Sequence, residues 1–190
     1  IAYCCQVKER LIQLRTVNID GTSTRVLRDG KDGLDYLPFG WTADGKYILT
    51  AFFGRDNISG IAFISPQDGS VKKEMALSFK VSWDAEMSLS PDERYIAGTF
   101  LSRPDSANKD IFLLALDGGK EVPLVEHPAD DRLIGWSPDG RQVLFTSDRT
   151  GTIGIWTVRV SGGKAAGTPE FVRGNMGNIQ PIGMTRDGKL

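Results

Sequence analysis

Apolar residues in this chain come in short runs broken by turns rich in Gly, Asp, Pro and Ser, and no useful length of it has the spacing of a helix face. Residues 135–164 show the pattern best. Ser137-Pro138-Asp139-Gly140 has the chemistry of a turn: proline presets the backbone angle at the second position, aspartate caps the third, and glycine supplies the positive dihedral that follows. Gln142-Val143-Leu144-Phe145-Thr146 reads as a strand, 147–151 as a polar loop and 153–160 as a further strand closed by Ser161-Gly162-Gly163. With the residues leading into Trp136, the stretch makes three strands joined by two turns. Its apolar residues are nearly continuous, as in strands buried on both faces.

Weaker copies stand before and after it. The turn aspartate recurs as Asp44, Asp92, Asp139 and Asp187, at intervals of 48, 47 and 48 residues. A large apolar residue precedes each by three positions (Trp41, Leu89, Trp136, Met184), and Ile48-Leu49, Ile96-Ala97 and Val143-Leu144 follow the first three. A second turn repeats as Asp20-Gly21, Asp68-Gly69, Asp117-Gly118 and Ser161-Gly162. Phe63, Phe112 and Trp156 stand five residues before the last three, with Arg15 in that place in the first copy. The aspartates are needed by the turn, and the aromatics Trp41, Phe63, Phe112, Trp136 and Trp156 are expected in the core. A period near 48 with several short strands per unit predicts an all-β chain, a β-propeller segment of antiparallel four-stranded blades forming an open arc of about four. The predicted pieces are a partial blade at 1–28, blades at 35–77, 82–126 and 132–173, and the start of another at 179–190. Residues 71–75 are read as an exposed outer strand, and Ala165-Ala166-Gly167 as a short flexible connector.

The W-S-P-D-G turn at 136–140, the S-D-R-x-G loop at 147–151, the Ile155-Trp156 pair and the closing Gly162-Gly163 resemble the TolB-type propeller repeat of bacterial proteins, a relative of the WD repeat. The resemblance covers essentially the whole chain. Departures are Thr42-Ala43 in place of Ser-Pro, and Glu93 in place of the turn glycine. The resemblance implies a propeller of six or seven blades, and six units would need roughly 290 residues. The 190-residue chain is therefore expected to be a piece of a longer polypeptide that opens inside a blade at Ile1 and stops in a hairpin at Leu190. Its partners would include the remaining blades; alone, it is expected to expose apolar faces and associate. Such repeats occur in periplasmic TolB-like proteins, beside peptidase or hydrolase domains, and beside bacterial regulatory domains. The resemblance favours the periplasm and leaves the cytoplasm open.

Composition narrows the function by exclusion. A net charge of −1 and a pI near 5.9 lack the basic field that nucleic acid or an anionic membrane surface requires. No apolar run approaches the roughly 20 residues of a membrane-spanning helix. Cys4 and Cys5 are adjacent and read as two strand residues on opposite faces. His127, the single histidine, is expected in a solvated loop; no G-x-S-x-G elbow offers it a nucleophile, and the cysteines and one histidine make no zinc set. No catalytic residue and no cofactor are therefore assigned. Asp29, Asp32 and Asp35 in a Gly-rich loop are the calcium candidate, against the plainer reading of a solvated acidic loop. Asn57-Ile58-Ser59 matches a glycosylation sequon and is read as accidental.

One face remains. In a four-stranded blade, the loops between the second and third strands share an end with the connections between blades. Those loops carry Arg55, Asp56, Arg103, Asp105, Asp148 and Arg149; the connections carry Asp32, Asp35, Trp83, Asp84, Asp130, Asp131, Arg132, Asn175 and Asn178. Loops on a rigid scaffold are where binding resides. Asp148 and Arg149, inside the repeat motif, are expected instead to pair with neighbouring loops and hold blades together. The leading reading is a non-catalytic scaffold for protein–protein interaction. The alternatives are the propeller of a larger peptidase or hydrolase that gates substrate access, and a sensory ligand-binding domain of a bacterial regulator.

Overall fold

The computed structural model describes residues 1–8, 11–54, 58–81, 83–101 and 108–177. Every regular element among them is a β-strand and every pairing is antiparallel. The chain divides into two compact units, Ile1–Asp84 and Ala85–Leu190.

The first unit holds two sheets. One has three strands, β1 (Ala2–Lys8), β2 (Leu11–Thr16) and β3 (Arg25–Arg28), in that order. The other has four in order: β4 (Leu34–Trp41), β5 (Ile48–Gly54), β6 (Ser59–Ile64) and β7 (Val71–Ala76). Leu14, Tyr36, Ile48, Phe52 and Ile64 form the core between them. In the second unit, β8 (Met87–Leu89), β9 (Tyr95–Phe100), β10 (Asp110–Ala115) and β11 (Glu121–Val125) form the third sheet. The fourth contains β12 (Asp131–Trp136), β13 (Gln142–Ser147), β14 (Gly154–Ser161), β15 (Lys164–Ala165) and β16 (Glu170–Arg173). Ile111, Leu113, Leu133, Val143 and Phe145 pack together in its core.

The continuous apolar runs do form strands buried on both faces. All of β5 as far as Phe52 and nearly all of β6 and β10 are buried, whereas β7 and β16 are exposed. The turn before each second strand is built identically in three sheets. The hydroxyls of Thr42, Ser90 and Ser137 donate to Asp44, Asp92 and Asp139 at 2.7, 2.6 and 2.6 Å. Each of those hydroxyls also accepts the N–H of the residue that leads into the strand, namely Tyr47, Tyr95 and Gln142. The same aspartates accept N–H bonds from Lys46, Arg94 and Arg141.

Two predictions arise from these turns. Gly45 and Gly140 follow their aspartates at φ 68° and 69°, and Glu93 holds the same left-handed conformation at 56°. A side chain in that region is strained by roughly 1–2 kcal/mol, part of which is returned by the greater freedom of an unfolded glycine. Glu93→Gly is expected to stabilise the protein by about 1 kcal/mol, read by urea denaturation; an unchanged or lower midpoint refutes it.

The second prediction concerns acid. The Lys46 N–H and the Thr42 hydroxyl hold the Asp44 carboxyl at about 2, and the hydroxyl of Ser65 with the N–H of Ser70 does the same for Asp68. The folded values lie below the unfolded one, so the stability these carboxylates add is full above the unfolded value and is lost as pH falls through the folded one. The protein is expected to lose stability steadily from about pH 4 to about pH 2. Asp44→Asn and Asp68→Asn together should flatten that part of a stability–pH curve; an unchanged slope counts against it.

Three expectations need correction. Ala165 is not in a flexible connector: β14 turns back at Gly162-Gly163, φ 57° and 74°, and Lys164–Ala165 pairs with it as β15. Trp41 is 39% exposed instead of buried. Its counterpart Trp136 is buried and donates its indole N–H to the Ser88 carbonyl of β8 at 3.1 Å. Among the described residues the first sheet has three strands and none in the place of β8, so Trp41 lacks that cover. Phe63 is only half-buried, whereas half-buried Trp156 does pack against the core of the second unit.

Candidate functional site

Sheet registry builds one end of the second unit into an ionic framework. Asp131 opens β12 directly opposite Ser147, the last residue of β13, and Ser147 lies opposite Gly154, the first of β14. Arg149, two residues past Ser147, folds back over this edge. Its guanidinium meets both Asp131 carboxylate oxygens at 2.9 Å, and its Nε–H donates to the Ser147 hydroxyl at 2.9 Å. The guanidinium carbon also lies 4.8 Å from the Trp156 ring centre and 5.3 Å from that of Phe145, a cation–π arrangement. Asp131 is fully buried. Burial pushes its carboxyl up from the ordinary value, while bonds from Ser147 and Arg149 and the charge of Arg149 pull it back.

Around this pair the rim charges are tied together. Asp130 accepts Arg132 Nε–H at 2.7 Å and the Lys109 N–H at 3.0 Å, and its own N–H donates to Asp148 at 3.1 Å. Arg132 also reaches Glu86, 3.6 Å away, and buried Lys109 lies 3.9 Å from the other Glu86 oxygen. Thr99 donates its hydroxyl to Glu86 at 2.6 Å. Asp110 accepts the His127 N–H, and His127 Nδ1 accepts the N–H of Ala129. Asn175, at φ 56°, lies beside the β13–β14 loop, where the Met176 N–H donates to Ile153. Arg149 thus binds within its own sheet, and Asp148 is the residue that holds the connection arriving from β11.

The first unit holds the other sequence candidates. Trp83 is half-exposed and stands edge-on to Phe53, ring centres 4.9 Å apart at 86°. Asp84 follows it, and Asp35 lies opposite Phe53 in the β4–β5 pairing. The calcium candidates are drawn elsewhere: Asp29 pairs with Lys31 at 2.6 Å, and Asp32 pairs with Arg28 and accepts the Leu34 N–H. Among the described residues, no three His, Cys, Asp or Glu side chains are grouped to hold a metal ion. Cys4 and Cys5 are neighbours on β1; burial and then the charge of Asp35 push the Cys4 thiol up to about 11, and it donates to the Tyr36 carbonyl. Arg55, Asp56, Arg103, Asp105 and Asn178 lie outside the described residues, as do Asn57 of the sequon and 179–190. Among the described residues, no helix is long and apolar enough to cross a membrane.

Comparison with known proteins fits these sheets. TolB from Acinetobacter baumannii superposes with a TM-score of 0.70 at 20% identity, over 98% of this chain and 44% of its own. The fold is that of TolB-type propeller blades. No family model matches the chain. A functionally uncharacterized protein of Agrobacterium fabrum is 31% identical over 110 residues, 58% of this chain and 34% of that protein. One of two prolyl endopeptidases analysed for inter-domain dynamics gives a TM-score of 0.56 at 14% identity, over 87% of this chain and 26% of its own. The chain thus spans about a third of the curated relative and under half of the TolB structure.

The sequence marked Asp130, Asp131, Arg132, Asp148 and Arg149 of this rim but not Glu86, Lys109 and Asp110. Lysine is almost never buried unless paired. The signal that marks Lys109 and Asp110 is a charged pair placed directly against the apolar run Ile111-Phe112-Leu113-Leu114 of a TolB-type third strand.

Proposed function

We propose that this TolB-type segment is a non-catalytic scaffold that binds another protein through the charged rim of its second unit. The observation that carries the reading is the buried Asp131–Arg149 pair of the rim, with one guanidinium nitrogen 2.9 Å from both carboxylate oxygens. A guanidinium locked against a carboxylate, a hydroxyl and two rings is committed to holding loops in place. What stands above it is a fixed surface of Asp130, Arg132 and Asp148, the arrangement of a rigid scaffold presenting polar loops.

The test uses the full-length protein with a photo-crosslinking residue placed at Arg132 or at Asp148, irradiated in its native host. The reading expects the same discrete protein adduct from both positions, suppressed by excess uncrosslinkable protein. Absence of a saturable adduct from either position refutes it.

A second reading has one specific support, the likeness to a prolyl endopeptidase over 87% of this chain. In that case the blades gate a hydrolase domain elsewhere in the polypeptide. Turnover of peptide substrates by the full-length protein, altered in KM by Trp83→Ala and abolished by replacing a single serine, would select it.

A further inference from the structure

We propose that the turn following the third strand of a blade is an inter-blade clasp, gripping the preceding blade so that the two resist unfolding together. Each unit supplies its own instance. In the first, a Cβ added at Gly69, between β6 and β7, would lie 2.2 Å from the Leu27 carbonyl oxygen of β3. The turn therefore presses on the backbone of the neighbouring sheet, and Arg25 beside Leu27 donates to the Gln67 carbonyl in the same turn. In the second, Gly163 sits on Tyr95 of β9: a Cβ there would be 2.8 Å from the ring and 3.2 Å from its hydroxyl. β15, which follows the turn, runs beside β11, the outer strand of the third sheet. The partners and their places differ: Gly69 meets the outer strand β3 of the preceding sheet, whereas Gly163, one residue past the repeat counterpart Gly162, meets the second strand β9; what the two turns share is contact with the preceding sheet. Contact of this kind supplies the nearest-neighbour coupling on which repeat folds depend for cooperativity.

The turn contains its own control. Gly162, at φ 57°, has nothing within 4 Å of an added Cβ, so Gly162→Ala strains the hairpin without touching the third sheet. Gly163→Ala, at φ 74°, adds similar backbone strain and also drives a methyl into Tyr95. In hydrogen exchange of the full-length protein, β9, β10 and β11 amides are expected to exchange about tenfold faster in Gly163→Ala than in Gly162→Ala. The β12 and β13 amides should match in the two variants. Combining Gly163→Ala with Tyr95→Ala removes the clash, and that pair should differ from Tyr95→Ala alone no more than Gly162→Ala differs from wild type. Equal exchange of the third sheet in the two glycine variants overturns the proposal. Should Gly163→Ala not fold, the double variant decides: folding restored by Tyr95→Ala supports the clasp, and folding still lost overturns it.

Discussion

Arg149→Ala is expected to cost about 3–5 kcal/mol of folding stability, the usual consequence of removing one partner from a buried ion pair. Asp131 has no solvent exposure and the Arg149 side chain only 11%, so water cannot take the guanidinium's place. The two 2.9 Å bonds to the carboxylate, the Nε–H bond to Ser147 and the stacking on Phe145 and Trp156 vanish together. Arg149→Lys should recover less than half of the loss, because an ammonium can meet the carboxylate but cannot also supply the Nε–H bond to Ser147 and the flat guanidinium face over Phe145 and Trp156. The pH dependence is a separate check. Without Arg149 the buried carboxyl titrates above its unfolded value of about 3.9. Its protonated form is favoured in the folded state, so the deficit relative to wild type should be largest at neutral pH and narrow as pH falls toward 4. Joint replacement, Asp131→Leu with Arg149→Met, should lie much closer to wild type than either Arg149→Ala or Asp131→Ala. Denaturant melts of this set at two pH values read all of these effects; a joint variant as poor as Arg149→Ala would count against the account.

Phe112→Ala is expected to cost a further roughly 3–5 kcal/mol by a different route, a cavity in the third sheet. Phe112 is 1% exposed, stands opposite Gly98 across the β9–β10 pairing, and is edge-on to Phe100 at 5.8 Å. Its ring lies over the glycine: a Cβ at Gly98 would be 2.5 Å from the ring edge. Gly98→Ala alone should therefore destabilise by about 1–3 kcal/mol, since a fully buried ring has little room to retreat. In the Phe112→Ala background the same methyl enters the vacated space, and its cost should disappear or reverse. The coupling measured by the four-variant cycle would then be of the order of the Gly98→Ala effect itself. Simple additivity would show that the ring does not rest on the glycine. Phe52 lies over Gly60 in the same relation across β5 and β6, with the ring now on the second strand.

The turns were legible in the sequence because their chemistry is local. A Ser or Thr two residues before an Asp is enough to specify the hydroxyl–carboxylate bond, and the 48-residue spacing then places the strands. Buried strands were legible from their unbroken apolar runs. The rim was legible as a set of residues but not as a network. Asp131 and Arg149 are 18 residues apart, and their meeting depends on the pairing of β12 with β13. Lys109 and Glu86 join different strands of the third sheet, and no local signal connects them. Gly162-Gly163 did carry a readable signal, since two consecutive glycines favour a two-residue hairpin; the small residues after them looked like linker because their pairing partner is the tail of β14.

The Trp136 indole donates to Ser88, the neighbour of Leu89, its own counterpart in the preceding repeat. A bond between a position and the residue beside its predecessor is copied whenever a whole repeat is copied in tandem. Duplication of a whole unit therefore creates a new joint already equipped with donor and acceptor, whereas an insertion of some other length separates them. Gene duplication can in this way lengthen the array by integral steps without any interface having to evolve afresh, and lineages of such proteins should differ in repeat number far more readily than in repeat length.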